Sequence, residues 1–149
     1  MKTVSFLLIT ALLLLQSPIY SQTNQGDMTN KAIVEKFLGG FNNPEKIQES
    51  LALLADDYQF KNPMVALNSK AEFMALAQEI SQVLTGVHII HAAESGDWVG
   101  VYYEFKSSVP GLESNMATEW FRLKDGIIQQ SHLIYDASEW RKVYAAMEK

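Results

Sequence analysis

The chain predicts an α+β domain, with helices gathered at its front, a run of strands behind them and one short helix at the end. Two observations carry this. Apolar residues recur at helical spacing as far as Leu84, and beyond Gly86 the period drops to two. Capping boxes and turn dipeptides then fall at the joins between those periodic segments. Helices segregated from strands imply layers, with the strands forming a mainly antiparallel sheet.

The first residues stand apart from that domain. Met1-Lys2-Thr3 brings one positive charge, Val4 to Leu15 is an apolar run, and residues 16–21 make a polar exit. An apolar core of roughly 7 to 15 residues is the pattern of a secretory signal peptide, and it is too short to span a bilayer. The small Ser21 sets cleavage before Gln22, with Ser17 as a competing small residue. The expected organisation is a signal peptide over 1–21, a polar, disordered leader over 22–27 and one domain over 28–149. The mature protein is expected to be secreted or periplasmic, with no membrane association after cleavage. Zero cysteines exclude disulfides, thiolate metal sites and a lipid-modified cysteine. A formal charge of −5 without Lys/Arg clusters gives no footprint for nucleic acid or anionic lipid.

From Thr29, the residues Ile33, Val34, Phe37, Leu38 and Phe41 predict a first helix, weakened at its end by Gly39-Gly40. Asn43-Pro44 supplies a cap and a first-turn proline for a second, with Ile47, Leu51 and Leu54 on one face. Ser69-Lys70-Ala71-Glu72 is a capping box for a third, whose stripe is Phe73, Leu76, Ala77, Ile80 and Leu84 and whose stop is Thr85-Gly86. Strands are expected over residues 87–93, 98–107, 115–123 and 127–135, parted by Ser95-Gly96-Asp97, Val109-Pro110-Gly111 and Asp125-Gly126. Asp136-Ala137-Ser138-Glu139 opens the last helix, with Trp140, Val143, Tyr144 and Met147 on one face.

Two segments within this frame carry a resemblance. Ala55-Asp56-Asp57-Tyr58-Gln59-Phe60-Lys61-Asn62-Pro63 resembles the ADD-x-x-x-x-D-P segment of ketosteroid isomerases, and residues 119–128 followed by Tyr135-Asp136 are similar to the strand, D-G turn, strand and Asp of the same superfamily. That superfamily is the nuclear transport factor 2-like (NTF2-like) group, which also holds the SnoaL-like polyketide cyclases. The resemblance implies a cone-shaped fold in which the leading helices pack inside a strongly curved sheet around a pocket. It also implies homodimers formed through the outer sheet face.

The departures matter as much. Where the isomerase has its proton-abstracting Asp, this chain has Asn62, and a carboxamide cannot take up a proton near neutral pH. No Tyr occurs between Thr29 and Phe41, so the isomerase's oxyanion Tyr has no counterpart. By position Glu119 looks like the isomerase's protonated Asp, which donates a hydrogen bond to substrate oxygen. Its own strand puts it with Ala117, Phe121 and Leu123 on an apolar face, where its carboxyl would be pushed up; a Glu paired with a neighbouring Lys or Arg, or exposed, is the other reading.

Alternation in the final strand groups Ile128, Gln130, His132, Ile134 and Asp136 as a mixed pocket wall. His132 reads as a base poised near neutral pH or as a half-buried histidine bonded to a carbonyl. Asp136 matches the acid/base Asp of SnoaL-like cyclases or simply caps the last helix. His88 and His91, three apart on a strand, are expected on opposite faces, so no metal is expected. Aromatic residues such as Tyr58, Trp98, Tyr102, Tyr103 and Trp120 read as pocket wall, core or dimer contact. The candidate ligand contacts are Tyr58, Phe60, Asn62, Tyr103, Phe121 and Gln130, with Glu119, His132 and Asp136 as the candidate catalytic set.

The function expected from these residues is an exported, non-catalytic binding domain with an apolar pocket for a small apolar ligand and no cofactor. The alternative is a cofactor-free acid/base isomerase, cyclase or hydrolase acting on a small apolar carbonyl compound.

Overall fold

The computed structural model describes residues 28–147, so the expected signal peptide and leader lie outside the described residues. The elements are α1 (Asn30–Gly39), α2 (Ile47–Leu51), β1 (Leu54–Lys61), β2 (Ala66–Leu67), α3 (Lys70–Ile80), β3 (Leu84–Ser95), β4 (Trp98–Ser107), β5 (Ser114–Lys124), β6 (Ile127–Tyr135) and α4 (Ser138–Met147). Short 3-10 turns at Gly40–Asn42 and Pro44–Lys46 link α1 to α2. The strands form one curved sheet in the order β2-β1-β6-β5-β4-β3, in which β1 and β6 run parallel and every other pair is antiparallel. This is the α+β architecture the periodicity predicts.

Local chemistry explains the leading helices. Thr29 Oγ1 accepts from the Ala32 N–H at 3.1 Å, which satisfies one of the free donors of α1, and Ile33, Val34, Phe37 and Leu38 form its buried face. The start of α1 is tied to the β3–β4 hairpin, because the Lys31 N–H donates to Glu94 Oε2 at 2.8 Å. Its far end is tied to β3 by Asn42, whose Oδ1 accepts from the Val87 N–H at 2.7 Å while its Nδ2 donates to the Val87 carbonyl at 2.8 Å. Helix α3 begins at the predicted Ser69 cap, with the returning Glu72 bond taken one residue earlier. Ser69 Oγ accepts from the Glu72 N–H at 3.2 Å, and Glu72 Oε2 accepts from the Asn68 N–H at 2.7 Å.

Between these anchors Gly40 sits where no larger residue fits. A Cβ there would lie 1.8 Å from Ser50 Oγ, and Ser50 is itself 2 % exposed with its hydroxyl on the Lys36 carbonyl. Gly40→Ala must therefore push α2 off α1, and is expected to lower stability by roughly 2 kcal/mol. An unchanged midpoint in chemical denaturation would show that contact to be slack.

Four expectations need correction. The second helix is only Ile47–Leu51, and Leu54 opens β1 instead of continuing its stripe. Helix α3 stops at Ile80, and Leu84, Thr85 and Gly86 belong to β3, because a turn at residues 81–83 separates two apolar positions whose spacing suits a helix equally well. The third correction concerns β3, which carries a bulge at Ile90: His88 pairs with Glu104 and His91 with Tyr102. Glu104 and Tyr102 lie two apart on β4, so both histidines share the outer face. Even so, the described residues hold no group of three or more His, Asp or Glu placed for a metal.

The fourth correction reaches the site. Arg122 pairs with Gln130 and Leu123 with Ile128, so Gln129 is an extra residue in β6. A bulge of one residue reverses the side-chain parity beyond it. Ile128 points inward and is fully buried, whereas Gln130, His132 and Ile134 are on the outer face opposite Arg122, Trp120 and Thr118. Ser131, Leu133 and Tyr135 form the inner wall instead. Beyond Lys124, Asp125 and Gly126 both take positive φ (51° and 76°), the two-residue turn that an Asp-Gly hairpin favours.

Candidate functional site

The curved sheet and the helices inside it enclose a cavity of about 360 Å³, the low end of the range in which small-molecule sites fall. Helices α1 and α3 give it Phe37, Leu38, Phe73, Leu76 and Ile80. The strands add Phe60, Tyr103, Phe105, Glu119, Leu133 and Tyr135, and α4 closes one side with Trp140 and Tyr144. The half-exposed Leu76 and Ile80 show why α3 keeps an apolar stripe that is not all buried: part of it faces the hollow. Exposed Glu79 and Tyr144 stand at the mouth. Trp140 is fixed by its Nε1–H donating to Asn115 Oδ1 at 2.9 Å. Arg141 ties α4 to the segment after β1, donating to the Pro63 carbonyl at 2.9 Å.

Glu119 lies at the heart of the inner sheet face and is 4 % exposed. Its Oε2 accepts from the Tyr103 hydroxyl at 2.8 Å and its Oε1 from the Ser131 hydroxyl at 2.6 Å. Ser131 has one proton and spends it on Glu119, so the Tyr58 hydroxyl, 2.6 Å away, is the donor in the next link. Tyr58 on β1, Ser131 on β6, Glu119 on β5 and Tyr103 on β4 thus form one polar row across four neighbouring strands. Burial pushes the Glu119 carboxyl up to about 7, with the Ser131 and Tyr103 bonds pulling partly the other way. Burial also holds the Tyr58 and Tyr103 hydroxyls well above the usual phenol value, and the nearby Glu119 charge adds to this.

The remaining candidates divide by position. Phe60, Asn62 and Tyr103 line the cavity. Asn62 Oδ1 is taken up by the Met64 and Val65 N–H groups at 2.7 and 2.8 Å, a turn that leaves only its amide NH2 for a ligand. Tyr58 and Phe121 are fully buried behind the wall, and Gln130 is outside it. His132 is exposed on the outer face, opposite Trp120. Asp136 is exposed at the start of α4, where its Oδ1 accepts from the Ser138 N–H at 2.9 Å, and that bond holds its carboxyl below the ordinary range. Ser131 is the site residue that sequence reasoning missed, since strict alternation turns it outward and only the bulge brings it in.

A family model described as a SnoaL-like domain matches residues 34–131. The chain belongs to that family. Among curated proteins none matches it. Solved structures share the fold of this SnoaL-like domain over most of its length. A protein from Kribbella flavida DSM 17836 is 17% identical, with a TM-score of 0.69 over 79% of this chain and 95% of that one. An NTF2-like protein of unknown function from Cytophaga hutchinsonii ATCC 33406 is 18% identical, with a TM-score of 0.64 over 78% and 96%. A protein with a ketosteroid isomerase-like fold from Catenulispora acidiphila DSM 44928, in complex with trimethylamine, is 16% identical, with a TM-score of 0.63 over 74% and 89%. The SnoaL-like domain is therefore a member of the NTF2-like superfamily, with the cone-shaped α+β fold of that group.

Proposed function

We propose that this SnoaL-like domain is an exported binding protein for a small, largely apolar molecule with one polar handle, and that it does not turn its ligand over. The observation that carries the reading is a cavity whose wall is mainly apolar and aromatic, with one deeply buried carboxyl, Glu119. Acid/base turnover commonly pairs an acid with a base. Here the other two candidates, His132 and Asp136, lie outside the cavity, and Asp136 is engaged as a cap. Asn62 and Tyr103 then orient the handle, and the aromatic wall supplies affinity. That a protein of the same fold binds trimethylamine supports a small organic ligand.

One observation favours a second reading. A carboxyl near neutrality in an apolar site is suited to moving a proton beside a carbonyl, so a cofactor-free isomerase, cyclase or hydrolase with Glu119 as its sole acid/base is the alternative.

A second copy of the chain is the proposed partner. On the outer sheet face Trp98, Tyr102, Met116, Trp120 and Ile134 are 39 to 49 % exposed, an apolar concentration that supports burial against a like surface. Native mass spectrometry of protein purified from its own host tests these points together. The expected species is a dimer of chains beginning at Gln22, carrying a bound non-protein mass. Bare protein whose melting point responds to no compound in a panel of small apolar molecules would remove the binding reading.

A further inference from the structure

Each hydroxyl proton in the buried row is aimed at Glu119. Tyr103 donates to one carboxylate oxygen, Ser131 to the other, and Tyr58 to Ser131. Both carboxyl oxygens lie within hydrogen-bond reach of a hydroxyl, an arrangement that can hold the ionised form. A neutral acid would have to turn one link round. On the Oε1 side this leaves a buried hydroxyl proton, that of Ser131 or Tyr58, with no acceptor, which is costly in the interior.

Nothing among the described residues balances the charge of an ionised Glu119. Among the described residues no Lys, Arg or His lines the cavity, and the ion pairs present, Lys31–Glu35, Lys106–Glu104 and Lys142–Glu139, are elsewhere. Glu119 is bonded by Tyr103 from β4, by Ser131 from β6 and, through Ser131, by Tyr58 from β1; Tyr135 lines the same cavity, and α1 gives it only apolar side chains. The one other charged residue on the wall is a second acid, Glu79 at the mouth. Along the same wall, toward the start of β5, the lining is aromatic. Phe105 meets Tyr135 edge-on at 5.5 Å and Trp140 at 6.2 Å, and such π faces attract a cation.

We propose that the cavity selects a hydrophobic organic cation, an alkyl- or arylammonium, with its charge seated against Glu119 and its apolar substituents against the Phe105, Tyr135 and Trp140 rings. The inference rests on the binding reading above and narrows its ligand class. An acidic mouth and a chain charge of −5 also favour arrival of a cation over that of an anion.

Three matched probes test it by calorimetry: phenyltrimethylammonium, its uncharged isostere tert-butylbenzene, and the hydrogen-bond acceptor acetophenone. The quaternary cation has no proton to lose, so any pH dependence belongs to the protein. It is expected to bind about tenfold or more tighter than its isostere at pH 8. Its affinity is expected to rise about tenfold from pH 6 to pH 8, in step with the ionised fraction of a carboxyl near 7. Glu119→Gln should remove both effects. The pH comparison on the unaltered protein stands even if that variant folds poorly. Acetophenone binding tightest, with affinity falling as pH rises, would overturn the inference while leaving the binding reading intact; so would a cation held equally well by Glu119→Gln. No binding by any of the three would end both.

Discussion

Glu119→Gln is expected to gain about 3 kcal/mol on the unaltered protein between pH 4 and pH 8, measured as the difference in their unfolding free energies. Burial lifts the carboxyl from 4.5 to about 7 in the folded state. Between those values the native domain holds a proton that the unfolded chain has already released. Stability therefore falls as pH rises through that window and levels off above it, the reverse of the usual pattern for a carboxylate with a cationic partner. The Gln variant keeps the shape and can still accept from one of the two hydroxyls through its amide oxygen, and it has no proton to lose. Paired urea titrations at several pH values give the measurement. Parallel curves for the two proteins would mean that Glu119 is solvated, and the cavity assignment would fall with it.

The second large effect separates a hollow interior from a solid one. Phe37 packs at 5.6 Å on Phe41, 5.8 Å on Phe121 and 6.2 Å on Phe73, and it is 1 % exposed. Phe37→Ala should cost about 4 kcal/mol, because it opens space inside a close-packed aromatic cluster. Leu76 also lines the cavity but is only half buried, so its methyl groups border space that is already there. Trimming it to Ala forfeits little packing, about 1 kcal/mol. Equal costs in denaturant melts would mean that the space beside Leu76 is filled.

How much of this was legible in advance depends on where the chain departs from regular geometry. Ser69 with Glu72 and Asp125 with Gly126 carry their structural reasons in their side chains and backbone preferences, and both features formed where the residues place them. The strands Trp98–Ser107 and Ile127–Tyr135 also have their expected bounds. Bulges have no such signature. The extra residues Ile90 and Gln129 look like ordinary strand positions, yet each reverses the alternation after it. That is why Glu119, on a strand with no bulge before it, could be placed inward from its parity. For the same reason regular alternation puts His132 on the wrong wall and hides Ser131. The short α2 and the early end of α3 failed for a different cause, since apolar residues four apart serve a helix or a strand start equally well.

The bulge in β6 also makes that strand a store of two alternative linings in one stretch of chain. As folded, it shows the hollow Ser131, Leu133 and Tyr135, while Gln130, His132 and Ile134 are turned away. Straightening the bulge with Gln129 kept in the ladder would exchange the sets, retiring a hydroxyl and a phenol and bringing an imidazole and an amide to the ligand. Repurposing such a wall takes one slip of register, not a series of substitutions, so closely related chains with and without the bulge need not recognise the same molecules.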